Sequence, residues 1–330
     1  MTTIKKVAEE AGFSITTVSR VLNNDEKLSV SDETREKIYE VAEKLSYRKK
    51  TVRVLVKNIA FLYWLTDKEE LEDVYFKAMR LEIEKLAKLY NIEIKTYKIA
   101  DGIEAIPDEI EGFIAVGIFS VKELNTLRKK TNKGVFIDST PDPKTFDSVR
   151  PDLAQITKET VDYLVETGHS KIGLIGGTYH NPNTDLDEMD IREETFRTYM
   201  KEKELLNENY IFCHRGFSVE NGYQQTMKAI QNLGEQLPTA FFVSGDPIAV
   251  GCLQALNESG LAIPGRVSVI SINNISVAKY VSPPLTTFHI DTKELCKVAI
   301  QLLLERVVEK RKIVKTIYIG AELVKRKSAL

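Results

Sequence analysis

The sequence predicts an α/β protein: a small head of three helices followed by a larger core of two doubly wound α/β units. Three observations predict it. The first 47 residues carry apolar side chains at helical spacing, with turn signals between the runs. From Ile59 onward, short near-continuous apolar stretches alternate with amphipathic ones, the pattern of parallel strands covered by helices on both faces. A chain of 330 residues has room for two such units behind the head. With 43% hydrophobic and 28% charged residues, the composition is that of an ordinary globular protein and excludes a disordered, collagen-like or fibrous chain.

In the head, Thr3 caps a predicted helix with Ile4, Val7, Ala8 and Ala11 on one face, and Gly12 ends it. Ser14 caps a second helix from Ile15 to Leu22, with Val18, Val21 and Leu22 facing inward. After the turn signal Asn23-Asn24-Asp25, Ser31 starts a third helix that puts Ile38, Val41, Ala42 and Leu45 on one side. Two helices joined by a tight turn with a glycine form a helix-turn-helix, whose second helix enters the DNA major groove. Its outer face offers Ile15, Thr16, Thr17, Ser19 and Arg20. Thr and Ile meet a thymine methyl, Arg bridges two guanine acceptors, and hydroxyls take phosphates. A small helical bundle with no role on DNA is the alternative that these residues alone leave open.

Charge is unevenly placed. The whole chain has 46 Lys and Arg against 48 Asp and Glu, a net charge of −2, whereas residues 1–57 hold 12 against 9. A basic head on an acidic body points to a polyanionic partner for the head.

The run from Thr3 to Ser14, with Thr17-Val18-Ser19-Arg20-Val21-Leu22-Asn23 and Ser31 to Ile38, resembles the N-terminal signature of the LacI/GalR family of bacterial repressors. The resemblance implies base-reading roles for Ile15, Thr16 and Arg20, and places Asn23 with the DNA contacts. It also implies a hinge helix that wedges a leucine into the minor groove. Residues 48–58 occupy that place. From Lys44 to Lys57 there are six basic residues and no acid, but the stretch is shorter than the family norm. It has Lys49-Lys50 in place of the usual Pro-Asn, and Thr51 to Val56 is rich in β-branched residues, which are poor helix formers. Leu55 is the candidate wedge, with Val56 its rival.

The core's expected strands are Ile59–Trp64, Ile92–Tyr97, Phe113–Phe119, Val135–Asp138, Lys171–Gly176, Tyr210–His214, Ala240–Ser244 and Val267–Ile272. Helical stretches lie between them, among them Val74–Leu89, Gln155–Thr167, Glu193–Lys203, Glu220–Leu233 and Ile248–Ser259. Thr178–Asp190 reads as a polar stretch without periodicity. Ligands of such folds sit beyond the strand carboxyl ends, so a cleft between two units is the expected site. Arg192, Asp246 and Asn273 lie just past strand ends, where bidentate hydrogen bonds to vicinal hydroxyls are available, and Phe217 offers a ring for the apolar face of a sugar. Each residue singly is also an ordinary turn or cap residue.

The resemblance continues through Gly168-His169-Ser170-Lys171-Ile172, Tyr223 to Met227, Pro283 to Thr287 and Leu323 to Lys327. It implies a periplasmic-binding-protein-like core at 59–330, with one subdomain at about 59–168 and 289–318 and the other at about 169–288 and 319–330. It places Arg192, Phe217, Asp246, Asn273, Tyr75, Asp73 and Gln155 at effector-contact positions. Gly245 and Asn273 depart from the residues most frequent there, so the effector need not be that of the best-known relatives.

The expected function is a cytoplasmic transcriptional repressor of a sugar-utilisation operon. It acts as a homodimer on double-stranded operator DNA and is released by a small-molecule sugar, galactose or a galactoside being the first choice, with no cofactor and no metal. A regulator dependent on a corepressor, whether a non-sugar molecule or a protein, is the alternative within the class. A sugar-acting enzyme on a two-lobed fold is the alternative outside it, and it lacks a phosphate loop, a nucleophile elbow and a His-Glu-x-x-His pair. His169, His180, His214 and His289 have no metal-ligand spacing, and Cys213, Cys252 and Cys296 sit among apolar neighbours as free thiols. No run is long and apolar enough for a membrane span, the N-terminus does not read as a signal peptide, and no leucine heptad follows the last strand, so a dimer is expected rather than a tetramer.

Overall fold

The computed structural model describes residues 3–22, 28, 30–45, 56–72 and 74–330. The chain divides into two compact units, Met1–Val54 and Leu55–Leu330.

In the first unit, α1 (Ile4–Ala11) is capped by Thr3, whose hydroxyl accepts from the Lys6 amide, and it ends at Gly12 with φ 76°, the left-handed conformation glycine adopts without strain. Helix α2 (Ile15–Leu22) starts at Ser14, whose hydroxyl accepts from the Thr17 amide at 3.0 Å. Helix α3 (Asp32–Lys44) starts at Ser31 in the same way. Val7, Ala8, Ala11, Val18, Val21, Ile38 and Ala42 form the buried core, with Leu22, Val41 and Leu45 packed partly buried against it. Tyr39 ties α3 to α2 by donating to the Val21 carbonyl at 3.1 Å.

The second unit holds two sheets. The first contains β1 (Val56–Trp64), β2 (Ile92–Lys98), β3 (Gly112–Gly117), β4 (Gly134–Ile137) and β5 (Asp147–Pro151). Helices α4 (Asp67–Glu72), α5 (Val74–Tyr90) and α6 (Val121–Lys130) connect them, and α7 (Leu153–Glu166) leads to the second sheet. There β6 (Ile172–Asn181), β7 (Leu186–Glu188), α8 (Ile191–Glu202), β8 (Ile211–Arg215), α9 (Val219–Leu233), β9 (Ala240–Val243), α10 (Asp246–Glu258), β10 (Ser268–Asn273) and β11 (Thr286–His289) follow in order. Helix α11 (Thr292–Val307) brings the chain back to add β12 (Thr316–Ile319) to the first sheet, and β13 (Glu322–Val324) closes the second.

The first sheet runs β12-β5-β4-β3-β1-β2, parallel throughout. The second runs β13-β11-β10-β9-β6 with β8 beyond β6, parallel except for β13. Parallel strands align their carboxyl ends along one rim of each sheet, and the loops leaving those rims are where ligand-binding residues gather.

Strands β5, β11, β12 and β13 are not among those expected from the sequence, and two further stretches depart from its reading. Thr178–Asp190 is a hairpin: β6 continues to Asn181 and pairs antiparallel with β7 (Tyr179 with Glu188, His180 with Asp187, Asn181 with Leu186). Its side chains are polar because most of it is exposed, so apolar alternation has no burial to follow. The strand expected to reach Phe119 stops at Gly117, whose φ of 114° turns the chain, and a Cβ there would lie 2.3 Å from the Trp64 carbonyl oxygen. Asn23, Leu55 and Asp73, and most of the expected hinge, lie outside the described residues.

Candidate nucleic-acid interface and ligand cleft

On α2, Val18 and Val21 turn into the core, leaving Ile15 and Thr16 exposed, with Thr17, Ser19 and Arg20 half-buried beside them. Ile15 is 47% exposed, a large apolar side chain that the head's own core does not use. The Thr17 hydroxyl shares a 2.8 Å hydrogen bond with Ser14, so it also serves the helix cap. The face thus combines an apolar contact, hydroxyls and one guanidinium, which is the chemistry of base-edge reading.

In the second unit, residues from both sheets meet at the strand ends. From the first sheet, Asp138 follows β4 with φ 68°, and its carboxylate accepts from the hydroxyl of buried Tyr75 at 3.2 Å. From the second, Arg192 sits in the first turn of α8. Its Nε donates to Asp190 Oδ1 at 2.6 Å, its Nη2 to Asp190 Oδ2 at 2.9 Å, and its Nη1 to the Ser244 carbonyl. Asp190 also caps α8 by accepting from the Arg192 amide at 2.9 Å. The guanidinium lies 4.8 Å from the centre of the Phe217 ring.

Electrostatics join the two sides. Burial pushes the Asp138 carboxyl up to about 6, against the attraction of Arg192, the Tyr75 hydrogen bond and Arg150. Burial acts on Asp190 in the same direction, but the charge and hydrogen bonds of Arg192 outweigh it and hold this carboxyl below the usual range. The Arg192 guanidinium in turn feels Asp138 and Tyr75.

Asp246, the first residue of α10, is fully buried. Its two oxygens accept from the Thr287 hydroxyl at 2.7 Å and the Ile275 amide at 2.8 Å. Asn273 ends β10 at φ 114°, and neighbouring Asn274 accepts from Arg326 at 2.6 Å. Gly245 leaves open space, since an added Cβ would meet nothing closer than Pro247 Cδ at 3.9 Å.

Asp138 thus takes the Tyr75 hydrogen bond and feels the charge of Arg192, which has Phe217 against it. Phe217 presents one face to the guanidinium, so that face is not a free platform for a sugar. Asp246 spends both oxygens on the protein and acts here as a clamp between α10, β11 and the loop after β10. Gln155 stands apart from this group: it is exposed on α7, and its side chain donates to Glu159 at 2.9 Å. The sequence reading missed Asp138 and Asp190. Asp190 had a signal, because an acid two residues before the helical arginine matches an N-cap. Asp138 was visible only as the end of a strand.

The raised pKa of Asp138 carries a prediction. Between about pH 4 and 6 the folded chain holds a proton that the unfolded chain has released, so stability falls as pH rises through that window. Above pH 6 the full cost of the ionised form is present. Asp138→Asn should stabilise the ligand-free protein at pH 7.5 by about 1–2 kcal/mol, partial solvent contact softening the cost. It should also flatten the pH 4–6 dependence, as read by urea unfolding at pH 4.5, 6 and 7.5.

Comparison with known proteins places these two sites in context. Residues 3–50 match the model for bacterial regulatory proteins of the lacI family, and residues 161–329 that of a periplasmic binding protein-like domain. The chain is 74% identical over 328 residues to the HTH-type transcriptional regulator GanR of Bacillus subtilis (strain 168), covering 99% of each chain. It is 37% identical to the HTH-type transcriptional regulator LacR of Lactobacillus helveticus, covering 99% of this chain and 98% of the relative. Two solved structures share the fold. One is the transcriptional regulator CelR in complex with cellobiose (TM-score 0.71, 19% identity, 99% of this chain and 100% of the other). The other is the lac repressor dimer bound to operator and the anti-inducer ONPF (TM-score 0.68, 24% identity, 100% of this chain and 99% of the other).

Proposed function

The chain belongs to the LacI family of bacterial regulatory proteins and is a DNA-binding transcriptional regulator, not an enzyme; from that premise we propose that it is a cytoplasmic repressor of a sugar-utilisation operon. It binds a two-part operator as a homodimer and is released when a neutral sugar, galactose or a galactoside first, occupies the cleft. One observation carries the proposal: at the strand ends Asp138, after β4, accepts from Tyr75 of α5 in the first subdomain and feels the charge of Arg192 of α8 in the second. A ligand seated there touches both subdomains at once.

Release follows from differential binding. A sugar that contacts both subdomains stabilises the relative arrangement in which those contacts are best made. It shifts the protein toward that arrangement only by its difference in affinity between the two states. If the favoured arrangement is the one that binds operator less well, the sugar induces; if it is the tighter one, the sugar is a corepressor. The test measures operator binding by purified protein at fixed salt, with and without galactose, lactose and cellobiose. A fall in operator affinity with a galactoside is expected. A rise assigns the corepressor reading, and no change with any sugar removes the sugar.

For the head, Arg20→Ala should lower operator discrimination by roughly 5- to 100-fold, the range of one bidentate arginine–guanine contact. Competition between operator and scrambled duplex at constant ionic strength reads this directly. An equal loss on both duplexes would instead assign Arg20 to phosphate.

A further inference from the structure

In the cleft, the hydrogen-bond donors of the two arginines are very unequally used. Arg192 has Nε, Nη1 and Nη2 all engaged by Asp190 and Ser244. Arg150, in β5, is the opposite. Its Nε is buried without a partner, and among the described residues no hydrogen bond or ion pair engages its guanidinium. The guanidinium lies 5.7 Å from the centre of the ring of Tyr318, its register partner on β12.

Position ties Arg150 to the cleft. It is the last residue but one of β5, and its chain neighbour Val149 accepts from the amide of Asp138 at 2.9 Å. Its charge acts on Asp138 from the same sheet and on Asp190 from the other. Next to Asp138, Ser139 has a buried hydroxyl oxygen that likewise lacks a partner. Two unsatisfied polar groups thus stand at adjoining strand ends on the first-sheet side. Buried donors without acceptors are costly, and native proteins keep them where a ligand supplies the missing partner.

The chemistry of that ligand follows from the charges. Arg192 is balanced by Asp190, and the charge of Arg150 acts on Asp138, so two cations stand against two carboxylates and an anionic ligand would leave a charge uncompensated. A guanidinium presents up to five donors in a planar fork, suited to neighbouring hydroxyl and ring oxygens. We propose that Arg150 and Ser139 form the first-sheet half of the ligand site, that they bind oxygens of a neutral pyranoside, and that Arg150 determines which sugar is accepted. This rests on the cleft being the sugar site, as proposed above.

The test is titration calorimetry on the full-length protein with galactose, lactose, glucose and galacturonate, alongside operator binding without sugar. The wild type should bind a neutral galactoside and not favour galacturonate. Arg150→Gln and Arg150→Met should weaken that binding roughly 10- to 100-fold and Ser139→Ala by less. Arg150→Lys, which keeps the charge without the fork, should recover little, and sugar-free operator affinity should stay within about threefold. Wild-type affinity for the sugar in the Arg150 variants overturns the proposal, as does preferred binding of galacturonate. Early melting with loss of operator binding in every Arg150 variant assigns this residue to the fold and overturns it too. If the wild type itself binds none of the sugars, the cleft reading falls instead, and this proposal with it.

Discussion

Arg192→Ala should destabilise the protein by about 3–5 kcal/mol and abolish its response to sugar while leaving sugar-free operator binding measurable. Arg192 and Asp190 are each 12% exposed at the side chain and joined by two parallel hydrogen bonds. Removing the arginine strands a carboxylate whose low pKa depends on it. The damage should be selective. Asp190→Asn combined with Arg192→Ala removes both charges and should restore much of the stability, but not the sugar response, because the guanidinium whose charge acts on Asp138 is still missing. Urea unfolding and an induction titration on the three variants separate the two roles. A stable, fully inducible Arg192→Ala would misplace the site.

Gly251→Ala should cost about 3 kcal/mol or more, the upper end of overpacking. Helices α9 and α10 touch backbone to backbone. A Cβ on Gly251 would lie 1.9 Å from the Val219 carbonyl oxygen and 2.6 Å from the Tyr223 amide nitrogen, and one on Gly222 would lie 1.9 Å from the Ile248 carbonyl oxygen. The helices must separate to admit a methyl group. Phe217 lies just ahead of α9 and Asp246 opens α10, so their separation also disturbs the cleft. Gly245→Ala is the control: its backbone is extended and its surroundings open, so the fold should tolerate it within about 0.5 kcal/mol. Thermal unfolding of both variants checks the contrast.

Elements with one buried face were legible in the sequence. The three head helices follow from Val7, Val18 and Ile38 falling at helical spacing beside capping Thr3, Ser14 and Ser31. Strands such as Ala240–Val243 are buried at every position and read as continuous apolar runs. Less legible were the exposed or half-exposed β6–β7 hairpin, β12 and β13, where burial does not impose a pattern, and the short buried strands β5 and β11, whose Asp147, Ser148, Thr286 and Thr287 break the apolar run. The site was legible by position and not by partnership. Arg192, Asp246 and Asn273 stand out after strand ends, but nothing local tells that Asp246 is taken by Thr287, 41 residues away, or that the charge of Arg192 acts on Asp138 of the other subdomain. Those pairings join residues distant in sequence and are set by tertiary packing. Arg150 was invisible for a related reason: it lies inside a strand, and only the absence of a partner marks it.

The most direct test of the whole account is fluorescence anisotropy of a labelled operator duplex titrated with the full-length protein, before and after addition of a galactoside at constant ionic strength. Saturable, sequence-selective binding that weakens by about tenfold or more with the sugar is expected, together with Arg192→Ala binding that ignores it. Duplex binding that the sugar leaves unchanged in the wild type, or no selective duplex binding even at low salt, would contradict the account.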